Sequence, residues 1–122
     1  FVTFAGNTPP NVAEVTGNFW TSYSEIGGLP LEIGSSVQYV DDRFGDNANL
    51  VALSSYTLLN LFATWSSENY RVSARVNNVT DEVYVPWSDV FYLHQNDPGW
   101  LYANQMMLSS PRTFELSVEF TF

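Results

Sequence analysis

The last ten residues of the chain, Thr113–Phe122, read TFELSVEFTF and alternate strictly between polar and apolar side chains. A period of two is typical of a β-strand with one polar face and one apolar face. Four further segments show the same alternation: Val15–Tyr23, Leu31–Tyr39, Tyr56–Trp65 and Tyr70–Asn77. No segment keeps helical spacing for more than a turn or two. The sequence therefore predicts an all-β fold with about five full strands.

The third of these segments, Tyr56–Trp65, is the least regular. Its apolar face contains Leu61 and Trp65, but Leu58 and Phe62 fall on the side that should be polar. Two large apolar side chains on a polar face break the alternation that defines a half-buried strand. We expect a strand here, with an exception at these two positions.

The composition argues against several classes of function. Among 122 residues there are 13 acidic and 4 basic ones, a formal charge of −9, and none of the basic residues is lysine. Nucleic-acid binding requires a cationic surface, which this balance does not provide. The absence of cysteine rules out disulfides, thiolate metal sites and cysteine nucleophiles. With a single histidine and no nucleophile-elbow sequence around any serine, we expect no enzyme.

The connections between the strands alternate in length. Ser24–Pro30 and Ser66–Asn69 are short, whereas Asp42–Ser54 and Pro86–Ser110 are long. An antiparallel up-and-down meander with long loops on one side is typical of transmembrane β-barrels. Aromatic residues near the strand ends favour the same interpretation, because they suit the level of the lipid headgroups. The alternative is a soluble sandwich, in which the apolar face packs on a second sheet.

Charged residues predict the pairing of the last two strands. A single antiparallel register places Arg71 opposite Glu119 and Arg75 opposite Glu115. We expect these four residues to form a structural ladder on the polar face, with modest stabilisation from each pair. A substrate path lined by the same side chains is the alternative.

Several segments carry a resemblance to a known family. Val37–Asn49 reads VQYVDDRFGDNAN, and Val76–Val85 reads VNNVTDEVYV. Together with Gly6–Val12, Asn18–Tyr23 and Ser110–Phe114, they resemble the late barrel strands of TonB-dependent outer-membrane receptors in order and spacing. The resemblance covers nearly the whole chain and is closest to the ferric-siderophore branch.

The resemblance implies a fold and a location. Residues 1–122 would be the C-terminal part of a 22-stranded transmembrane β-barrel in the bacterial outer membrane. The expected partners are outer-membrane lipid, a ferric siderophore and the barrel assembly machinery, which would read the terminal Phe122. TonB would act only through an N-terminal plug domain, which these five strands do not include. The protein itself would bind no cofactor, because the siderophore holds the iron.

The implied function is TonB-dependent transport of ferric siderophores, with this chain supplying barrel wall and two extracellular loops. The family resemblance points to aromatic and histidine side chains of the last loop as ligand contacts: Trp87, Phe91, Tyr92, His94, Trp100 and Tyr102. These residues could instead pack the loop against the barrel mouth.

His94 has too few candidate ligands around it for a metal site. Asp46 and Asn49 lie in a segment typical of turns. The alternative function is a soluble or oligomeric β-sheet binding module with an aromatic ligand-binding loop.

Overall fold

The computed structural model describes residues 3–91 and 103–122. A short 3-10 turn, Ile26–Gly28, lies between the first two strands. In the described part of the chain, no helix has the length and hydropathy needed to cross a bilayer. The strands of this part are β1 (Thr16–Tyr23), β2 (Leu31–Val40), β3 (Arg43–Phe44), β4 (Ala52–Leu53), β5 (Tyr56–Ser66), β6 (Tyr70–Asn77), β7 (Ser88–Phe91), β8 (Ala103–Met106) and β9 (Thr113–Phe120).

Five of the strands form one sheet in the order β1-β2-β5-β6-β9, while β3–β4 and β7–β8 are separate two-stranded sheets. Because the sheet follows chain order once these two hairpins are set aside, the predicted meander of five strands is confirmed. The predicted and observed bounds agree for β6 and differ by at most two residues for the other strands; β9, for example, ends at Phe120. The two long connections were predicted as loops, and that was incomplete. Strands of two to four residues are too short to show a period in sequence.

The register between β6 and β9 is the predicted one. Arg71 lies opposite Glu119 and Arg75 opposite Glu115 in an antiparallel ladder. Arg71 Nη1 is 3.8 Å from Glu119 Oε2, whereas Glu115 Oε1 accepts a hydrogen bond from Asn77 Nδ2 at 2.8 Å. Of the two expected charge pairs, the described residues thus form one as an ion pair, while Glu115 accepts a hydrogen bond from a neighbouring amide instead.

Replacing Arg71 with alanine is expected to change the free energy of unfolding by less than about 1 kcal/mol. The reason is that 60% of the Arg71 side chain and 68% of the Glu119 side chain are exposed, so water screens their attraction. A double-mutant cycle with Glu119→Ala, at low and high salt, measures the coupling. A coupling above about 2 kcal/mol, or one that is insensitive to salt, would show that this estimate is wrong.

The polar face of the sheet is joined by side-chain hydrogen bonds between neighbouring strands. Thr64 Oγ1 and Ser73 Oγ are 3.2 Å apart across β5 and β6. Asn60 Nδ2 donates to Ser36 Oγ at 3.1 Å across β5 and β2. Such cross-strand pairs stabilise a sheet and fix its register.

The opposite face of the sheet is apolar and exposed. On β9, Phe114 and Leu116 are each 75% exposed and Phe120 is 64% exposed; Phe19 on β1 is 63% exposed. Among the described residues, the only buried hydrophobic side chain is Leu53, in the β3–β4 hairpin. A soluble sandwich would cover this face with a second sheet and form a core between the layers. We therefore expect the apolar face to contact an apolar environment other than a second sheet.

The exception at Phe62 has a structural explanation. Phe62 is opposite Arg75 and so lies on the polar face, where its ring covers Gly34 of β2. The ring also stacks on Trp20 of β1, with centroids 6.3 Å apart and an angle of 11° between the planes. The glycine makes room for the ring, and an aromatic pair consequently crosses the polar face from β5 to β1.

Replacing Gly34 with alanine is expected to destabilise the protein by about 1–3 kcal/mol. A Cβ atom at Gly34 would collide with the Phe62 ring and would lie 2.7 Å from the carbonyl oxygen of Thr21. Chemical denaturation of the whole protein measures the loss, and adding Phe62→Ala should relieve only part of it because the Thr21 backbone remains.

The matched control is Gly17→Ala on β1. Apart from its chain neighbours, no heavy atom of the described residues would lie within 4 Å of a Cβ at Gly17, so this change should be within about 0.5 kcal/mol of neutral. Equal effects of the two substitutions would contradict the close approach over Gly34.

Candidate functional site

The described residues divide into two compact units. The sheet unit comprises Gly17–Tyr39, Thr57–Glu82 and Ser110–Phe122. The loop unit comprises the described parts of Phe1–Thr16, Val40–Tyr56 and Val83–Ser109. The described ligand candidates, Trp87 and Phe91, lie in the loop unit, and the four charged residues of β6 and β9 lie in the sheet unit.

The β3–β4 hairpin of the loop unit is closed by an aspartate. Asp46 is buried, and its Oδ1 accepts hydrogen bonds from the backbone N–H groups of Leu50 and Val51, both at 2.9 Å. Asn49 adopts a left-handed conformation with φ of 58°, which asparagine tolerates better than most residues. The turn-forming interpretation of these two residues is confirmed. Within residues 3–91 and 103–122, no group of three histidine or carboxylate side chains is arranged to hold a metal ion.

Arg43 is a buried basic residue of the loop unit, at 4% exposure. Its Nη2 donates to the carbonyl oxygens of Val85 and Pro86, the latter at 3.1 Å. Its Cζ lies 5.4 Å from the centroid of the Tyr56 ring, which is a cation–π contact. Nη1 is also buried and has no hydrogen-bond partner among the described residues. Carbonyl oxygens and an aromatic face thus compensate part of the desolvation cost of this guanidinium.

Tyr84 completes this cluster by stacking on Tyr56, with ring centroids 4.2 Å apart and 26° between the planes. Burial raises the pKa of Tyr84 above its ordinary value, and the nearby Tyr56 raises it further. The phenol therefore stays neutral through the physiological range. The raised pKa makes a contribution to the stability of the folded state. That contribution is complete at pH values below the ordinary tyrosine pKa. It is lost as the pH rises through the pKa that Tyr84 has in the folded protein.

Asn11 joins three segments of the loop unit. Its backbone N–H donates to Phe44 O at 2.6 Å. Its side-chain Nδ2 donates to Ser88 O at 2.7 Å, and its Oδ1 accepts from the Ser88 N–H at 3.0 Å. Ser88 begins β7 and is only 1% exposed. One asparagine thus ties the segment before β1 to β3 and to the start of β7.

The VNNVTDEVYV segment contains a buried asparagine, in the sheet unit. Asn78 is 5% exposed, and its Nδ2 donates to Glu82 O at 2.9 Å and to Ser110 O at 3.1 Å. Its Oδ1 accepts from the Glu82 N–H at 2.8 Å, and its own N–H donates to Asn60 Oδ1 at 2.9 Å. The motif therefore fastens the segment before β9 to the end of β6.

Asp81 adds a second connection from the same motif. Its Oδ1 accepts from the backbone N–H of Arg112 at 2.8 Å, and its Oδ2 lies 3.8 Å from Arg112 Nη2. Arg112 Nη1 in turn donates to Val79 O at 3.4 Å. Two side chains of the motif, Asn78 and Asp81, thus hold the residues that lead into β9.

The structure describes only some of the predicted ligand contacts. Trp87 is 44% exposed, and its carbonyl oxygen accepts from the N–H of Met107 at 2.9 Å. Phe91 ends β7, where its backbone pairs with Ala103. Four of the predicted contacts lie outside the described residues: Tyr92, His94, Trp100 and Tyr102. Their role in ligand binding stays a prediction.

The other predicted residues lie in the sheet unit. Arg71, Arg75, Glu115 and Glu119 share the polar face of β6 and β9. Phe122 follows the end of β9 and is fully exposed. Its role as an assembly signal stays a prediction, as does the choice between a structural ladder and a substrate path.

Sequence reasoning did not single out Arg43, Asn11 or Ser88. Arg43 gives a usable signal, because it is the only basic residue in the connection from Asp41 to Ser54. A lone arginine among acidic and turn-forming residues suggests a structural contact. Asn11 and Ser88 are 77 positions apart and carry no local pattern that links them.

Comparisons with known proteins agree with this architecture. Residues 1–79 match the family model described as TonB dependent receptor-like, beta-barrel. The chain is 29% identical over 87 residues to the ferrioxamine receptor of Yersinia enterocolitica, covering 66% of this chain and 12% of that protein. It is also 29% identical over 90 residues to the ferrichrome outer membrane transporter/phage receptor of Escherichia coli (strain K12), covering 68% of this chain and 12% of that protein.

A solved structure has a similar fold. The siderophore receptor PiuA from Acinetobacter baumannii superposes with a TM-score of 0.77 at 24% identity, over 96% of this chain and 15% of that one. The chain thus spans about an eighth of the length of the curated relatives that it matches. The matched family consists of receptors and is not a class of enzymes. With its family model matched over residues 1–79 and a sheet of the kind that such barrels contain, this chain belongs to the TonB-dependent receptor-like β-barrel family.

Proposed function

We propose that this chain forms part of the wall and of the extracellular surface of an outer-membrane transporter that imports ferric siderophores with energy delivered through TonB. The observation that carries the proposal is the exposed apolar face of the five-stranded sheet, in a chain of the TonB-dependent receptor family. In a barrel wall, such a face meets lipid and the polar face lines the lumen. Large aromatic side chains on that face, such as Phe19 and Phe120, suit contact with lipid and headgroups.

The proposal extends to the protein that contains this chain. We infer that residues 1–122 form the C-terminal strands of a 22-stranded barrel, whose other strands and plug domain lie outside this sequence. The names of two relatives, a ferrioxamine receptor and a ferrichrome transporter, support a ferric siderophore as the substrate. TonB would act on the plug, and the siderophore would hold the iron.

The orientation gives each part of the chain a role. With the C-terminus on the periplasmic side, the β2–β5 and β6–β9 connections are extracellular. Trp87, just before β7, then faces the ligand. Rigid aromatic rings give a partly apolar chelate a large contact area at low entropic cost. The soluble binding module has less support, because its apolar face would remain in water at a cost of roughly 25 cal/mol per Å².

Iron uptake tests the proposal. The gene for the whole receptor is deleted in its host, and uptake of radiolabelled iron supplied as ferrioxamine or as ferrichrome is measured under iron limitation. We expect uptake of at least one complex to be lost, restored by the intact gene and absent again without TonB. Unchanged uptake of both complexes after deletion, or restored uptake without TonB, would count against it.

Trp87 provides a finer test in the complemented strain. Because its side chain is half exposed at the base of the β7–β8 hairpin, Trp87→Ala is expected to raise the uptake KM several-fold while leaving the amount of receptor unchanged. The control is Met107→Ala, since Met107 is 57% exposed and bonds Trp87 only through the backbone. If both substitutions, or neither, raised KM, the assignment of Trp87 as a ligand contact would fail.

A further inference from the structure

The β7–β8 hairpin is held at its base by side chains from two distant parts of the chain. Asn11 comes from the segment before β1, and Arg43 comes from β3. Both reach backbone atoms of residues 85–88, where the chain enters β7. The hairpin is thus fastened by contacts outside its own two strands.

The two hydrogen bonds between the Asn11 side chain and Ser88 resemble those between paired strands, because one residue both donates and accepts. Its amide supplies a donor and an acceptor to the O and N–H of the same residue, Ser88. An aspartate side chain has no donor for the Ser88 carbonyl when it is ionised. Asn11 also has a left-handed backbone, with φ of 61°, which asparagine and glycine adopt at the least cost. Asparagine therefore satisfies both the backbone and the hydrogen-bond requirement at this position.

The Arg43 contact adds a second point of attachment. Its guanidinium donates to two consecutive carbonyl oxygens, those of Val85 and Pro86, just before β7. Gly45, two residues after Arg43, allows Ser88 to approach closely, because a Cβ there would lie 2.7 Å from Ser88 Oγ. The stacked Tyr56 and Tyr84 rings fix the position of Arg43.

We propose that Asn11 and Arg43 are positioning residues, which hold the chain at residues 85–88 so that Trp87, between their two points of attachment, meets the ferric siderophore in one preformed geometry. The part of this inference that concerns siderophore binding rests on the proposed function. A ligand contact that is already held in place loses less conformational freedom when the ligand arrives, so the affinity is higher. Loss of the attachment should therefore weaken binding without removing the binding site.

Spin-label distances test the attachment without any ligand. Residues 1–122 contain no cysteine, so once any cysteine elsewhere in the receptor is replaced, labels can be placed through Leu50→Cys and Gln105→Cys, two exposed positions on the β3–β4 turn and on β8. In the whole receptor, Asn11→Gly removes both side-chain bonds and tolerates the left-handed backbone. We expect the distance distribution to become at least twofold wider. The control is Asn7→Gly, because the Asn7 side chain donates to Asn47 O and not to residues 85–88, so this variant should leave the distribution unchanged.

Arg43→Lys is a second variant, since lysine keeps the charge but not the planar fork of donors. It should also widen the distribution. A width equal to that of the unsubstituted receptor in both Asn11→Gly and Arg43→Lys would overturn the attachment.

Equilibrium binding of iron-loaded ferrioxamine and ferrichrome tests the consequence. In Asn11→Gly we expect Kd to rise about tenfold, the size expected from two lost hydrogen bonds, with the number of binding sites per receptor unchanged. An unchanged Kd beside a widened distance distribution would overturn the positioning role. If the unsubstituted receptor bound neither complex, the proposed substrates would be wrong, while the distance measurement would still decide whether the hairpin is fixed.

Discussion

Replacing Asn78 with alanine is expected to lower the free energy of unfolding by about 3–4 kcal/mol. The substitution removes the three hydrogen bonds of the Asn78 side chain, to Glu82 N–H, Glu82 O and Ser110 O. It leaves those backbone groups without their partner at a position that is 95% buried, and unpaired buried groups are costly. It also places alanine at a φ of 52°, a region that favours asparagine and glycine. Denaturant titration of the whole receptor in lipid vesicles measures the change.

Two further variants separate the causes. Asn78→Gly removes the side-chain bonds without the strain of a left-handed alanine, so it should retain most of the loss. Asn47→Ala is the control, because the Asn47 side chain is exposed, and it should stay within about 0.5 kcal/mol of neutral. A loss below about 1 kcal/mol for Asn78→Ala would show that the motif does not hold the start of β9 in place.

Replacing Leu116 with lysine is expected to destabilise the membrane-inserted protein by about 2–4 kcal/mol. Leu116 lies in the middle of β9, opposite Ala74, and is 75% exposed on the apolar face. A lysine there would place a charge in hydrocarbon if the face meets lipid. Reversible folding into vesicles, or the amount of heat-modifiable receptor in the outer membrane, reports the effect.

Ser117→Lys is the matched control, since Ser117 is the next residue along β9 and lies opposite Ser73 on the polar face. Its lysine would point into the lumen and should cost less than about 1 kcal/mol. Equal costs at positions 116 and 117 would contradict a sheet with one face in lipid. A larger cost at Ser117 would mean that the two faces have been assigned the wrong way round.

The sheet could be predicted from the sequence because its information is local. A period of two over eight or more residues identifies a strand without knowledge of its partner. The register of β6 and β9 could be predicted as well, since Arg71, Arg75, Glu115 and Glu119 match in one alignment of the two strands. The same alternation distinguished the exposed apolar face from the polar one.

The remaining features depend on residues far apart in the chain. Phe62 looks misplaced in its own strand, and only Gly34 and Trp20 of the neighbouring strands explain it. The two hairpins of the loop unit are too short to have a period. The contacts of Asn11 and Arg43 span 77 and 42 positions respectively and involve backbone atoms, which no sequence pattern marks.

The central claim is that one face of this sheet meets lipid and the other faces the lumen of a barrel. Its most direct test is a nitroxide scan of β9, with labels at each position from Thr113 to Phe120 in the whole receptor in vesicles. We expect collisions with oxygen, which concentrates in lipid, to be frequent at Phe114, Leu116, Val118 and Phe120 and rare at the four alternate positions. Accessibility to a water-soluble nickel reagent should show no matching maxima at the apolar positions. Uniform accessibility along β9, or oxygen maxima at Glu115, Ser117 and Glu119, would contradict it.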